Sequence, residues 1–304
     1  MDIEITGWNN GRDVLKALRR RVFIEEQGVP EDLEWDADDE TAIHFIARDG
    51  KRPVGCARLL PDGRFGRMAV LQEYRRHRIG THLLHNIEKY YQQEMHGRIL
   101  KANVQAQAFM FYKNNGFSPV APFNIDAGIV HLPMEKAVGG SHSANNHLLL
   151  GKDNLSYRFP FETRATSGLL QIACQQPQRE ILITITDLGQ AQWFDKEVAS
   201  SLVRYLKAAR QNHVRILIQK EYPGIADHRL MLLQQRISSR MSVKVNSAVT
   251  SDRILLLPYG WIETSQAEVK ASFNDRPRTA RQVEVFEDAW RTGQACKEIR
   301  RLGI

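Results

Sequence analysis

A chain of 304 residues, 42% hydrophobic and 25% charged, is long enough for two ordinary domains and too apolar to read as disordered. No apolar run approaches the roughly 18 residues that a spanning helix needs, and the opening MDIEITGWNN is acidic and polar where a secretory leader would be basic and then apolar. A cytoplasmic protein is the expectation. The net charge of +7 suits an anionic ligand, but the basic residues lie in both halves without interleaved aromatics, so neither nucleic acid nor a membrane is the expected partner. Cys56, Cys174 and Cys296 are widely spaced and lack a CxxC pairing, which argues against a disulfide framework or a zinc site.

Asp2 to Thr6 alternates as a strand and Gly7 to Gly11 reads as a turn. From Asp13, the residues Val14, Leu15, Leu18, Val22 and Phe23 share one helical face that ends near Gly28 and Pro30. An acidic segment follows: Glu31, Asp32, Glu34, Asp36, Asp38, Asp39 and Glu40. It reads either as a solvated loop or as a surface that draws in a cationic substrate. Ala42 to Arg48 and Pro53 to Leu60 form a hairpin around Asp49-Gly50, and Pro61-Asp62-Gly63 turns the chain into a third strand, Arg64 to Val70. That strand runs through Met68, Ala69 and Val70 into a basic loop, Gln72 to Arg78, and a helix marked by Ile79, Leu83, Leu84 and Ile87. The first N–H groups of a helix lack internal partners, so a strand that feeds straight into one makes an anion site. Here Arg75, Arg76 and Arg78 reinforce it, and Gly80 lets phosphates approach the backbone. A further strand covers Ile99 to Val104.

The run Arg75-Arg76-His77-Arg78-Ile79-Gly80 resembles the arginine-x-x-glycine-x-glycine pyrophosphate motif of GNAT acyltransferases, with Arg78 where the family usually has its first glycine. Gln105 to Phe117, QAQAFMFYKNNGF, is similar to that family's exit from the fifth strand. Residues 22 to 36, His44 and residues 126 to 134 resemble its ElaA-like branch. The resemblance spans residues 1 to 137. It implies an α/β GNAT domain with a mixed, mostly antiparallel sheet, and an acetyl-CoA-dependent N-acetyltransferase that needs no metal. On this likeness the cofactor would contact Met68, Ala69, Val70, Arg75, Arg76, His77, Arg78, Ile79, Gly80, Thr81 and Gln105. Tyr112 falls on the family's general-acid tyrosine. Glu26 is the candidate general base, with Glu25, Glu34 and His44 as alternatives. The acceptor would be a small-molecule or peptide amine, its cationic character suggested by the acidic segment. A degenerate acyl-CoA sensor that acts through a second domain is the rival reading.

Residues 138 to 159 begin with VGGSHSANN and read as a linker, with His142 and His147 too sparse to suggest a metal. Beyond it, helices are expected at Phe161 to Cys174, Phe194 to Arg210, His228 to Ile237 and Pro277 to Arg301. Strands are expected at Ile181 to Ile185, Val214 to Ile218, Ser242 to Val245, Arg253 to Leu257 and Glu268 to Phe273. This alternation implies a second α/β domain, 160 to 304, with a mostly parallel sheet. Its layout, with NHVRILIQ and FNDRPRTARQVEVFEDAW, resembles one half of a phospholipase D-like domain. No His-x-Lys occurs in the chain, so a non-catalytic binding or packing module is expected there.

Overall fold

The computed structural model describes residues 1–139, 145–161 and 164–296. The chain divides into two compact units: 1–104, 111–121 and 126–144 form the first, and 105–110, 122–125 and 145–304 the second.

The first unit begins with β1 (Asp2–Thr6) and α1 (Trp8–Arg19). Trp8 to Gly11 already belong to the helix, so the turn expected at Gly7 to Gly11 is confined to Gly7. The expected helical face then continues through a π-helical turn at Arg20–Glu26, with Leu15, Leu18 and Val22 all buried. Two one-turn helices, α2 (Glu31–Glu34) and α3 (Asp38–Thr41), carry the acidic segment. They lead into the antiparallel strands β2 (Ile43–Asp49), β3 (Arg52–Leu59) and β4 (Phe65–Val70), giving a sheet ordered β1-β2-β3-β4. After β4 come a 3-10 turn at Gln72–Tyr74 and α4 (Ile79–Gln93). Neighbouring side chains on a strand point to opposite faces: Ile46 packs in the cluster of Leu15, Leu18 and Val22, whereas Phe45 meets Tyr90 of α4 edge to face. Helices α1 and α4 therefore cover opposite faces of this sheet.

Next in the chain are β5 (Ile99–Gln105), α5 (Phe109–Asn114), β6 (Ser118–Pro119), β7 (Asn124–Asp126) and β8 (Ile129–Ala137). They build a separate sheet ordered β5-β8-β6, with β7 on β8. The only link between β4 and β5 among the described residues is a parallel bridge, Arg64 to Lys101, beside a bond from Lys101 N to the Gly63 carbonyl of 2.9 Å. Beyond that bridge, among the described residues, β4 pairs with β3 and no strand pairs with its other edge.

The second unit contains β9 (Ser156–Pro160), α6 (Ala165–Ala173), β10 (Glu180–Ile185), α7 (Ala191–Phe194), α8 (Lys196–Ala208), β11 (His213–Ile218) and α9 (Arg229–Arg236). It continues with β12 (Met241–Val245), β13 (Asp252–Leu256), β14 (Gly260–Thr264), β15 (Glu268–Ser272), α10 (Arg276–Thr292) and β16 (Gln294–Ala295). The strands make one sheet, β16-β12-β11-β10-β13-β14-β15-β9. Only β10–β11 and β11–β12 run parallel, through the α8 and α9 crossovers; the remaining pairings are antiparallel. The mostly parallel sheet expected from the alternation is therefore corrected to a mixed one. The cause is a hairpin closed by Leu257-Pro258-Tyr259, which adds β14, a strand that the turn residues concealed. The linker is corrected as well: β9 pairs with β15, and Leu148, Leu150 and Asp153 are buried. Gly140 to Ala144, His142 among them, and Lys297 to Arg301 of the expected last helix lie outside the described residues. Among those described, no helix is long and apolar enough to cross a membrane, and no group of three His, Cys, Asp or Glu could hold a metal ion.

Candidate active site

The basic loop and α4 take the form that the sequence suggested, with a backbone detail that it hid. Arg76 and Arg78 have φ of +70° and +61°. A non-glycine side chain in this left-handed region costs about 1–2 kcal/mol. At Arg78, the N-cap of α4, the chain thus keeps the turn that glycine would make without strain, and the turn aims the first N–H groups of the helix out of the loop. Arg75 to Arg78 and Thr81 are exposed, and Ile79 is buried beneath them. A Cβ on Gly80 would stand 3.3 Å from Phe111 Cζ, so the first turn of α4 sits directly against α5.

Arg75 behaves differently from its neighbours. Its Nε donates to the Val70 carbonyl at 3.0 Å, and its two terminal nitrogens clamp the Glu26 carboxylate at 2.6 Å each. The proposed base and one proposed cofactor ligand are thereby joined in a bidentate ion pair. Of the alternative bases, Glu25 is exposed, and His44 is buried with Nε2 donating to the Asp39 carbonyl at 2.9 Å. Burial holds the His44 imidazole below its ordinary pKa. Gln105 ends β5 and accepts from Gln107 Nε2 at 2.7 Å through its side-chain oxygen; it falls in the second unit.

Tyr112 lies on α5 among Phe65, Phe111 and Phe117, with ring centroids 5.0–6.0 Å away. Its hydroxyl reaches Met68 Sδ of β4 at 3.9 Å. Desolvation raises the phenol's pKa above its ordinary value, so Tyr112 keeps its proton at neutral pH.

The strand facing Tyr112 is not regular. Cys56 pairs with Ala69 and Arg58 with Gly66, so β4 carries an extra residue there, a bulge at Arg67 and Met68 with Arg67 at φ +46°. Gly55 fits beside it because a Cβ there would lie 2.8 Å from the Ala69 carbonyl. Cys56 Sγ contacts the Arg67 carbonyl at 3.8 Å; burial pushes the Cys56 thiol up to about 12, so it stays protonated.

In the acidic segment Glu34 and Asp39 are buried, whereas Glu31, Asp32, Asp36 and Glu40 are exposed. Arg19, 1% exposed, holds Glu34 at 2.5 Å and Asp39 at 2.7 Å. Arg58 holds Asp36 at 2.5 Å and Asp39 at 2.7 Å, and Arg67 reaches Asp36 at 3.0 Å. Arg20 pairs with Glu31. Most of the segment's charge is neutralised by arginines of this chain. Sequence reasoning missed this because the partners stand 11 to 31 residues away. His131 is buried on β8: Nδ1 donates to the Ile129 carbonyl at 2.9 Å, and burial lowers the imidazole's pKa.

The chain thus sets a strand with a free edge among the described residues, a helix N-terminus behind a basic turn, and a buried tyrosine against that strand. The comparisons carry this to a family. Residues 11–138 match the model of the acetyltransferase (GNAT) domain. The uncharacterized N-acetyltransferase YjcF of Bacillus subtilis is 36% identical over 124 residues, 39% of this chain and 87% of that protein. A putative acetyltransferase of the same organism is 31% identical over 125 residues, 39% of this chain and 84% of its own length. Through these residues the chain belongs to the GNAT acetyltransferase family. Among solved structures, Escherichia coli ElaA aligns at 23% identity and a TM-score of 0.41, over 45% of this chain and 99% of its own. Residues 162–302 match a domain of unknown function, DUF7931. That match does not show the phospholipase D-like layout expected there.

Proposed function

We propose that the first unit is an acetyl-CoA-dependent N-acetyltransferase that acts on a primary amine, and that the second is a non-catalytic module. The observation that carries the reading is Tyr112, its hydroxyl held 3.9 Å from the Met68 sulfur of β4. In this reading the N-terminal N–H groups of α4, with Arg76, His77, Arg78, Ile79, Gly80 and Thr81 around them, bind the pyrophosphate. The edge of Met68, Ala69 and Val70 pairs with the pantetheine arm as an added strand, and one of its N–H groups polarises the thioester carbonyl. The amine nitrogen attacks that carbon, and the C–N bond forms as the C–S bond breaks. Tyr112 gives its proton to the departing sulfur, a contribution of about 10²- to 10⁴-fold.

The amine's proton needs an acceptor. Glu26, the candidate base, takes it in this reading, since its carboxylate keeps acceptor lone pairs while Arg75 holds it. The acceptor is an amine whose charge is not dictated by the acidic segment, since Arg19, Arg58 and Arg67 already neutralise Glu34, Asp36 and Asp39. The test is release of free coenzyme A thiol from acetyl-CoA by the full chain across polyamines, basic peptides, aminoglycosides and aryl amines. Amine-dependent release supports the reading. Binding of acetyl-CoA with no turnover on any amine supports the sensor instead.

A further inference from the structure

We propose that Arg67 is a positioning residue for the thioester, and that the acidic segment's function is to hold it. The inference rests on the acetyl-CoA reading above and adds to it the device that sets the β4 bulge. Arg67 is the bulged residue itself, at φ +46°, and its guanidinium is fastened outside the strand. Nη2 donates to Asp36 Oδ2 at 3.0 Å and to the Leu33 carbonyl at 3.3 Å, and Nε stands 3.4 Å from Glu34 Oε2. Glu34, 2% exposed, is fixed in turn by Arg19, and Asp36 by Arg58. Glu34 and Asp39 thus form the buried part of a frame, braced on α1 and β3, with one arginine leading from it into the strand.

The next residue, Met68, brings its sulfur to the Tyr112 hydroxyl. A one-residue bulge sets both where Met68 lies along the open edge and how the adjacent N–H groups point. A shift of the tether would move the thioester's docking edge relative to Tyr112 while leaving the Arg76–Thr81 loop in place. Arginine suits this task because its planar fork binds a carboxylate and a carbonyl at once, which a lysine ammonium does less rigidly. The raised strain of a non-glycine residue at φ +46° is retained, in this account, because the side chain is needed.

The experiment uses the full chain and two probes, acetyl-CoA and adenosine 3′,5′-bisphosphate, which shares the nucleotide end but lacks the pantetheine arm. Arg67→Gly removes the tether and tolerates the left-handed backbone, so it separates positioning from simple backbone strain. The expected result is acetyl-CoA affinity lower by about tenfold or more, the scale on which small misplacements act, with bisphosphate affinity unchanged and the thermal midpoint close to wild type. Arg67→Lys should recover part of the loss. Equal affinity of Arg67→Gly and wild type for acetyl-CoA would overturn the proposal, as would parallel losses for both probes, which mark a general structural defect. A wild-type protein that binds neither probe would overturn the acetyl-CoA reading and this inference with it.

Discussion

At Arg78 the backbone adopts φ +61° under an exposed arginine, so replacing it with glycine keeps the turn and removes the strain. Arg78→Gly is expected to stabilise the fold by about 1 kcal/mol in denaturant unfolding, the usual scale for a residue released from the left-handed region. Tyr112→Phe preserves the ring packed among Phe65, Phe111 and Phe117 and deletes only the proton donor. Turnover should fall by about 10- to 10³-fold with acetyl-CoA affinity nearly unchanged; unaltered turnover where chemistry is rate-limiting would make Tyr112 structural. The sequence pointed to Tyr112 and Gly80 because they sit inside local runs. It could not reveal the strain at Arg76 and Arg78, since dihedral angles are settled by the packing of Ile79 and Gly80 below them.

Among the elements, β4, its loop and α4 were legible because apolar spacing and a basic turn are local signals. The buried frame was not. Arg19 looks in sequence like one of a basic trio on α1, yet it lies 1% exposed between Glu34 and Asp39. Arg19→Leu should destabilise the fold by about 3 kcal/mol in urea unfolding, because buried Glu34 would lose its 2.5 Å partner and Asp39 one of the two arginines that hold it. A cost below about 1 kcal/mol, the range of a solvated pair, would mean that water reaches the cluster and the frame is weak. In α4, Gly80→Glu would place a side chain against Phe111, 3.3 Å from a Cβ at that position, and a negative charge at the phosphate site. Acetyl-CoA binding measured by calorimetry should be abolished while the thermal midpoint falls only modestly.

For the whole molecule, length and alternation suggest two domains, but the second sheet's strand directions could not be read from them. Hairpin β13–β14 and the addition of β9 depend on pairings between distant segments, for which residues such as Gly260 and Ser156 carry no local mark. Acid stability is a property of the whole chain in which buried histidines stand out. His44 and His131 have pKa values depressed below the ordinary 6.5 by burial, so the unfolded state takes up protons first as pH falls. Their contribution is fully present above 6.5 and is lost as pH drops through the folded-state values. Glu34, whose pKa burial raises, has the opposite sign and acts above its ordinary 4.5. Calorimetric melting between about pH 7.5 and about pH 5.5, a range that brackets the ordinary imidazole value, should show a falling midpoint, and His44→Gln with His131→Gln should reduce the fall, with buried His228, lowered likewise, retaining its share.

The most direct test of the central claim is thiol release from acetyl-CoA by the purified full chain, followed with and without each amine of a broad panel and repeated with Tyr112→Phe. Amine-dependent release that falls at least about tenfold in the variant, at matched acetyl-CoA saturation, is the predicted result. Tight acetyl-CoA binding with no amine-dependent release by the wild type would contradict it.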